Sequence, residues 1–269
     1  MAVLYHGNCH CGNYQFELSS PGEISSALTC PCSVCLKKGY LWLEVSSGNF
    51  QTTHDGRLTE YRTSSIQDKF CGQCGTGIVA EHLSGPLQGK ILINGRTLRE
   101  INPFQLAVND EVSDKRAFGD NELRRALLPH NFSCHCGAVN AQLSLPVAHL
   151  DIREDNCSSC VRNAYIGVQP TKEQVAISGR GNTFEYRYGQ KFTGLSHCIT
   201  CGVLVYKTVY GPPITIFDRL PAEMRERALA VYYRNMSLQP LNVRTLDGID
   251  TASLRIERND EGTEGYELG

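Results

Sequence analysis

Thirteen cysteines in 269 residues are the groups through which this chain can do chemistry. They fall in short clusters: Cys9 and Cys11; Cys30, Cys32 and Cys35; Cys71 and Cys74; Cys134 and Cys136; Cys157 and Cys160; Cys198 and Cys201. A Cys-x-x-Cys spacing sets two thiolates on one side of a turn, as a zinc ligand pair requires; Cys-x-Cys is a weaker version of the same signal. An odd cysteine total fits a closed disulfide framework poorly. The stretch from Met1 to Gly7 lacks the basic and apolar segments of a secretory leader. The expected compartment is therefore the cytosol, with the nucleus as the alternative, and thiols there stay reduced. Zinc binding is the expectation, against the plain alternative of free cysteines packed in a core.

The clusters recur along the chain. Adding 125 to Cys9, Cys11, Cys32 and Cys35 gives Cys134, Cys136, Cys157 and Cys160, and Cys71 and Cys74 fall two residues short of Cys198 and Cys201. The neighbours agree as well: Cys9-His-Cys-Gly12 with Cys134-His-Cys-Gly137, and Asn94-Gly-Arg-Thr-Leu98 with Asn242-Val-Arg-Thr-Leu246. Agreement at so many positions reads as an internal duplication, with domains expected at 1–125 and 126–269.

Ligand counting divides the first copy into four and three. Two separated pairs, Cys9/Cys11 and Cys71/Cys74, can close one tetrahedron, which is the pattern of a structural zinc. Cys30, Cys32 and Cys35 then offer three thiolates and a vacancy, the pattern of a catalytic zinc. In the second copy Cys134, Cys136, Cys198 and Cys201 form the matching quartet, while Cys30 is replaced by Asp155. Asp155, Cys157 and Cys160 can make a site of one carboxylate and two thiolates, or a site that has lost its metal; both readings stay open.

The order Gly7-Asn-Cys-His-Cys-Gly12, Cys30-Pro-Cys-Ser-Val-Cys35 and Phe70-Cys-Gly-Gln-Cys-Gly75 resembles the glutathione-dependent formaldehyde-activating enzyme family, also called the CENP-V/GFA domain. The resemblance extends over both copies, with the departure at Asp155. It implies a complex antiparallel β-fold, a structural four-cysteine zinc in each copy and a catalytic zinc on Cys30, Cys32 and Cys35. It also implies carbon–sulfur lyase activity on adducts of glutathione or another thiol. The competing function is a zinc-stabilised interaction module without catalysis. A small-molecule thiol adduct is thus the expected partner. The net charge of -2 argues against nucleic acid, whose binding domains are usually clearly basic.

Other candidates are read beside the cysteines. His10 and His135, between paired cysteines, are support for the metal or surface histidines. Lys37 and Lys38, with Arg162 at the matching place, can attract a substrate carboxylate or simply be solvated. Tyr40 and Tyr165 line a pocket or pack. His54, His82 and His197 read as structural or exposed, and Trp42 as core.

The elements that must position these groups read as strands. Tyr14–Leu18, Leu41–Val45, Val139–Leu145 and Thr183–Tyr188 alternate apolar and polar residues, separated by turn residues. The fold class expected is mostly β, as two tandem zinc-binding antiparallel domains. The second copy carries 21 extra residues between Cys201 and Asn242. They read as an amphipathic helix near 221–234, with Pro221 in its first turn. Asp120–Leu128 reads as a short helix joining the copies. Hydrophobic residues make up 41%, enough for a core, and no apolar run reaches the roughly 18 residues of a membrane helix.

Overall fold

The computed structural model describes residues 2–46, 48–109, 129–248, 251, 254–260 and 262. The expected boundary at 125/126 and the expected helix at 120–128 lie outside the described residues.

The expectation of a mostly β fold holds. In the first half a three-stranded sheet has the order β1 (Val3–Asn8), β2 (Tyr14–Ser20), β5 (Phe50–Asp55). A seven-stranded sheet has the order β10 (Ala107–Asn109), β3 (Ser26–Leu28), β4 (Trp42–Glu44), β9 (Ile91–Asn94), β8 (Gly77–His82), β7 (Ile66–Cys71), β6 (Leu58–Arg62). The second half has β11 (His130–Ser133), β12 (Asn140–Leu143), β15 (Val175–Ser178). Its larger sheet runs β20 (Glu257–Asn259), β13 (Arg153–Asp155), β14 (Ile166–Val168), β19 (Leu241–Asn242), β18 (Leu204–Val209), β17 (Thr193–Cys198), β16 (Thr183–Tyr186). Raising every strand number by ten converts one arrangement into the other. Each half has one parallel pair, β3 with β10 and β13 with β20, at the edge of its larger sheet.

All four stretches expected as strands are strands. Their alternation matches the burial: β2 buries Tyr14, Phe16 and Leu18 and leaves the residues between half-buried, as a period of two dictates. The halves also share an irregularity, a register shift at Lys69/Phe70 between β7 and β8 and at Ser196/His197 between β17 and β18. The shift precedes the Cys71 and Cys198 turns and re-aims the strand end that delivers each cysteine.

Helices are short and local. α1 (Ser33–Lys38) and α2 (Ser158–Asn163) follow Cys32 and Cys157, and each ends on a left-handed residue, Gly39 or Ala164. The inserted helix, α3 (Ala222–Met236), forms where expected, but Pro221 caps it from outside with extended backbone instead of lying in its first turn. None of its residues is buried, and Met224, Val231 and Tyr233 face solvent. Its apolar positions therefore do not feed a sheet core.

Among the described residues the two largest clusters of buried side chains lie around Phe16, Ile78 and Ile93 and around Phe132, Leu143 and Val203, with smaller ones behind Cys35 and Cys160. The two largest exchange a side chain. Tyr186 from the second half is buried in the first core, and Tyr61 from the first half packs on the second. Among the described residues no helix is long and apolar enough to cross a membrane.

Candidate metal centres

Each quartet is assembled by two turns about 60 residues apart in sequence. Cys9 and Cys11 follow β1, and Cys71 closes β7 with Cys74 in the turn after it. The four sulfurs lie within 4.8 Å of one another. Cys9 and Cys11 are 3.5 Å apart, and Cys11 and Cys71 are 3.7 Å apart. In the second half Cys134 and Cys136 are 3.6 Å apart, and Cys136 and Cys198 are 3.5 Å apart. A zinc–sulfur bond of about 2.3 Å in a tetrahedron requires sulfurs about 3.8 Å apart, so the donors fit zinc. A disulfide would need about 2.05 Å, and all the cysteines are free. Backbone N–H groups already point at the sulfurs: Tyr14 donates to Cys9 at 3.2 Å and Val139 to Cys134 at 3.3 Å. Four thiols in so small a volume compete for protons. The Cys9 thiol is pushed far above its usual range, first by its bond to Cys11, while Cys71 is pulled below it, first by the same Cys11. A dication would resolve that competition, since it could be held by all four as thiolates.

The third cluster forms where α1 starts. Cys30 follows β3, Cys32 caps the helix with extended backbone, and Cys35 lies in its first turn. Cys32 is held well below the usual thiol range, first by Cys30 and then by Cys35, but the donor atoms that gather within 4.8 Å of one another here are those of Cys30, Cys35 and His82, a set that leaves Cys32 out. Burial pushes Cys35 up. Cys30 and Cys35 are buried, whereas Cys32 is half-exposed, so solvent reaches the cluster through Cys32. Trp42 donates its indole N–H to Cys35 Sγ at 3.3 Å, which orients that sulfur from the core side.

Sequence reasoning missed His82. Its ring is buried, its Nε2 lies 3.7 Å from Cys35 Sγ, and its donor atoms come within 4.8 Å of Cys30 and Cys35. Its Nδ1 is buried without a hydrogen-bond partner. Burial lowers its pKa, opposed by the charge of Cys32. His82 ends β8, 47 residues from Cys35. Only the sheet order brings them together, so no local spacing could have signalled it.

The lysines are corrected by the structure. Lys38 is buried and its Nζ lies 2.5 Å from Asp68 Oδ2, while the Tyr40 hydroxyl donates to Asp68 Oδ1 at 2.6 Å. Lys37 reaches the second half, donating to the Ser133 and Thr245 carbonyls and pairing with Asp247 at 2.8 Å. Arg162 makes the reciprocal contacts, to the Asn8 and Thr97 carbonyls. All three cations are thus committed inside the protein rather than held out for a substrate carboxylate. Trp42, Tyr40 and Tyr165 are core residues, His54 is exposed, and His197 is buried with Nε2 on Asn163 Oδ1 at 2.9 Å.

The fourth cluster is open. Asp155, Cys157 and Cys160 bring their donor atoms within 4.8 Å of one another. They line a cavity of about 1170 Å³ together with Tyr165, Lys207 and Arg234, the last from α3. Asp155 Oδ1 accepts from the Cys157 N–H at 2.7 Å. Lys207 Nζ lies 3.8 Å from Cys160 Sγ and 3.5 Å over the Tyr165 ring. The Cys160 thiol is lowered to about 6, first by its bond from Cys157 and then, against burial, by Lys207. The second cluster therefore meets an ammonium on β18, where the first meets an imidazole on β8.

Residues 4–110 match the family model described as glutathione-dependent formaldehyde-activating enzyme. Among solved structures, a Rhodobacter sphaeroides protein is similar at 21% identity, over 48% of this chain and 99% of that one, with a TM-score of 0.36. No curated protein matches.

Proposed function

Residues 4–110 match the model of the glutathione-dependent formaldehyde-activating enzyme family, and on that match we propose that the chain is a zinc-dependent carbon–sulfur lyase. Its substrate is an adduct of glutathione or a related thiol, and the reaction belongs to the first half. The observation that carries this reading is that Cys30 and Cys35 come together at α1 with His82 inside 4.8 Å, beside the half-buried Cys32 at the start of the helix. A zinc ion held by these three thiolates would supply Lewis acidity and stabilise negative charge on the substrate sulfur. The two quartets would hold structural zinc.

The remaining work falls to side chains. In a thiol–aldehyde adduct the C–S bond breaks with its electron pair going to sulfur, the hydroxyl loses its proton, and the carbonyl forms. We assign that proton to His82 Nε2, which faces the cluster beside Cys35. Trp42 and Tyr40 wall the cluster off from water on its inner side, and Asp68 holds Tyr40 and Lys38 in place behind it. Lys207 supports placing catalysis in the first half, since an ammonium 3.8 Å from Cys160 Sγ competes with a dication for that sulfur. We place the boundary between the halves at 125/126 and the protein in the reducing cytosol.

The experiment is turnover of the hemithioacetal formed from glutathione and formaldehyde, followed by exchange NMR on the full chain. The wild-type chain accelerates exchange, and Cys32→Ser returns it to the uncatalysed rate. A zinc-replete wild-type chain that leaves the exchange rate unchanged overturns the reading.

A further inference from the structure

Each quartet carries a histidine between its first two cysteines, and that histidine is bound to the cysteine loop of the other half. His135 sets Nε2 2.9 Å from Ser33 Oγ and Nδ1 2.7 Å from the Tyr61 hydroxyl. Ser33 lies between Cys32 and Cys35. In the other direction, His10 sets Nε2 3.1 Å from Ser158 Oγ and Nδ1 2.8 Å from the Tyr186 hydroxyl. Ser158 lies between Cys157 and Cys160. Lys37 and Arg162 bind the backbone next to the opposite quartets, at Ser133 and Asn8. The same set of contacts thus occurs in both directions across the interface.

The loop needs outside support. α1 has six residues, too few to hold itself in water. Its cap residue, Cys32, makes no side-chain cap hydrogen bond. Val34 and Cys35 anchor its inner face in the core. Its outer face offers Ser33 and Lys37, and both are bound by the second half. The distance between Cys32 and Cys35, which any metal at the cluster must span, is set by the turn containing Ser33.

We infer that His135 is a positioning residue for the Cys30/Cys32/Cys35 cluster, so that the second half's cysteine quartet forms part of the first half's active site. The inference deepens the lyase reading and rests on it for the word active. Its structural content stands on the contacts alone. It also supplies a role for the second half that needs no chemistry at Asp155: Tyr61 holds the ring, the ring holds Ser33, and Ser33 holds the turn.

The test is release of zinc from the full chain to a chromophoric chelator, with the Cys32→Ser chain marking which phase belongs to this cluster. His135→Ala, Ser33→Ala and Tyr61→Phe each speed that phase by about ten- to a hundred-fold, the usual effect of removing a residue that orients a metal ligand. The His135→Ala/Ser33→Ala chain is no faster than the faster single variant, because both remove one connection. Multiplying effects in the double variant, or an unchanged phase in Ser33→Ala, overturn the inference. Should His135→Ala strip its own quartet, Ser33→Ala carries the test, since Ser33 lies on the loop of the first half's cluster. Zinc release does not depend on turnover, so an inactive wild-type chain refutes the lyase and leaves this result to be read independently.

Discussion

Lys38→Met is the most informative single change in the first half. The Lys38 ammonium and the Asp68 carboxylate are 2.5 Å apart, with 5% and 0% of their side chains exposed. The Tyr40 hydroxyl is the other donor to that carboxylate. Removing the ammonium leaves a buried anion with one neutral hydrogen bond, and breaking a buried pair in this way costs about 3–5 kcal/mol. At roughly 2–4 °C per kcal/mol for a chain of this size, the midpoint of thermal unfolding falls by roughly 6–20 °C. The second half shows how the pair can be dispensed with: Asn163 stands three residues after Cys160, as Lys38 stands after Cys35, and Leu195 stands three before Cys198, as Asp68 stands before Cys71. Lys38→Met/Asp68→Leu therefore regains much of the loss, because apolar residues of similar volume replace a buried pair at little cost. What remains is a Tyr40 hydroxyl without its acceptor, worth about 1–3 kcal/mol. Calorimetry and urea titration at fixed zinc read both variants. A loss below about 1 kcal/mol in Lys38→Met, or a double variant as unstable as the single, refutes the reasoning.

Three further outcomes are expected. Gly75→Ala destabilises by roughly 2–6 kcal/mol, since φ is +77° and the new Cβ would lie 2.1 Å from the His197 ring; Gly137→Ala, with the same φ in open space, loses only the backbone part, and urea titration separates them. His82→Ala keeps the zinc content and slows turnover by about 10²- to 10⁴-fold; loss of a zinc ion instead makes His82 a ligand and removes its proton role. Asp155→Cys gives the second cluster the three thiolates of the first and raises zinc content by one ion per chain, measured by elemental analysis, whereas an unchanged content means that Lys207 keeps the ion out.

The quartets were legible because zinc ligation imposes spacings that survive in sequence, and because each occurred twice at nearly one offset. The strands were legible for the same local reason, alternation of burial along β2 and its counterparts. What escaped was contact across sheet order and across halves. His82 meets Cys35 through four strands of pairing, and nothing local marks it. Lys37 looked free because a sequence does not show which face of α1 the second half covers, and Lys38 because its partner Asp68 arrives from β7, 30 residues further along the same half. A signal was nevertheless present: Tyr61 and Tyr186, His10 and His135, and Ser33 and Ser158 each recur at an offset of 125. Polar residues repeated beside ligands at one interval mark a reciprocal interface as readily as a repeated metal site.

The central proposal is that three cysteine clusters bind zinc: the two quartets of sulfurs, and the group at Cys30 and Cys35 with Cys32 as its proposed third thiolate. Elemental analysis of the purified chain beside its Cys32→Ser variant tests this most directly. The account predicts at least three zinc ions per chain, and a loss of one on substitution with the other ions retained. Two ions or fewer in the wild-type chain, with no change in the variant, would contradict it.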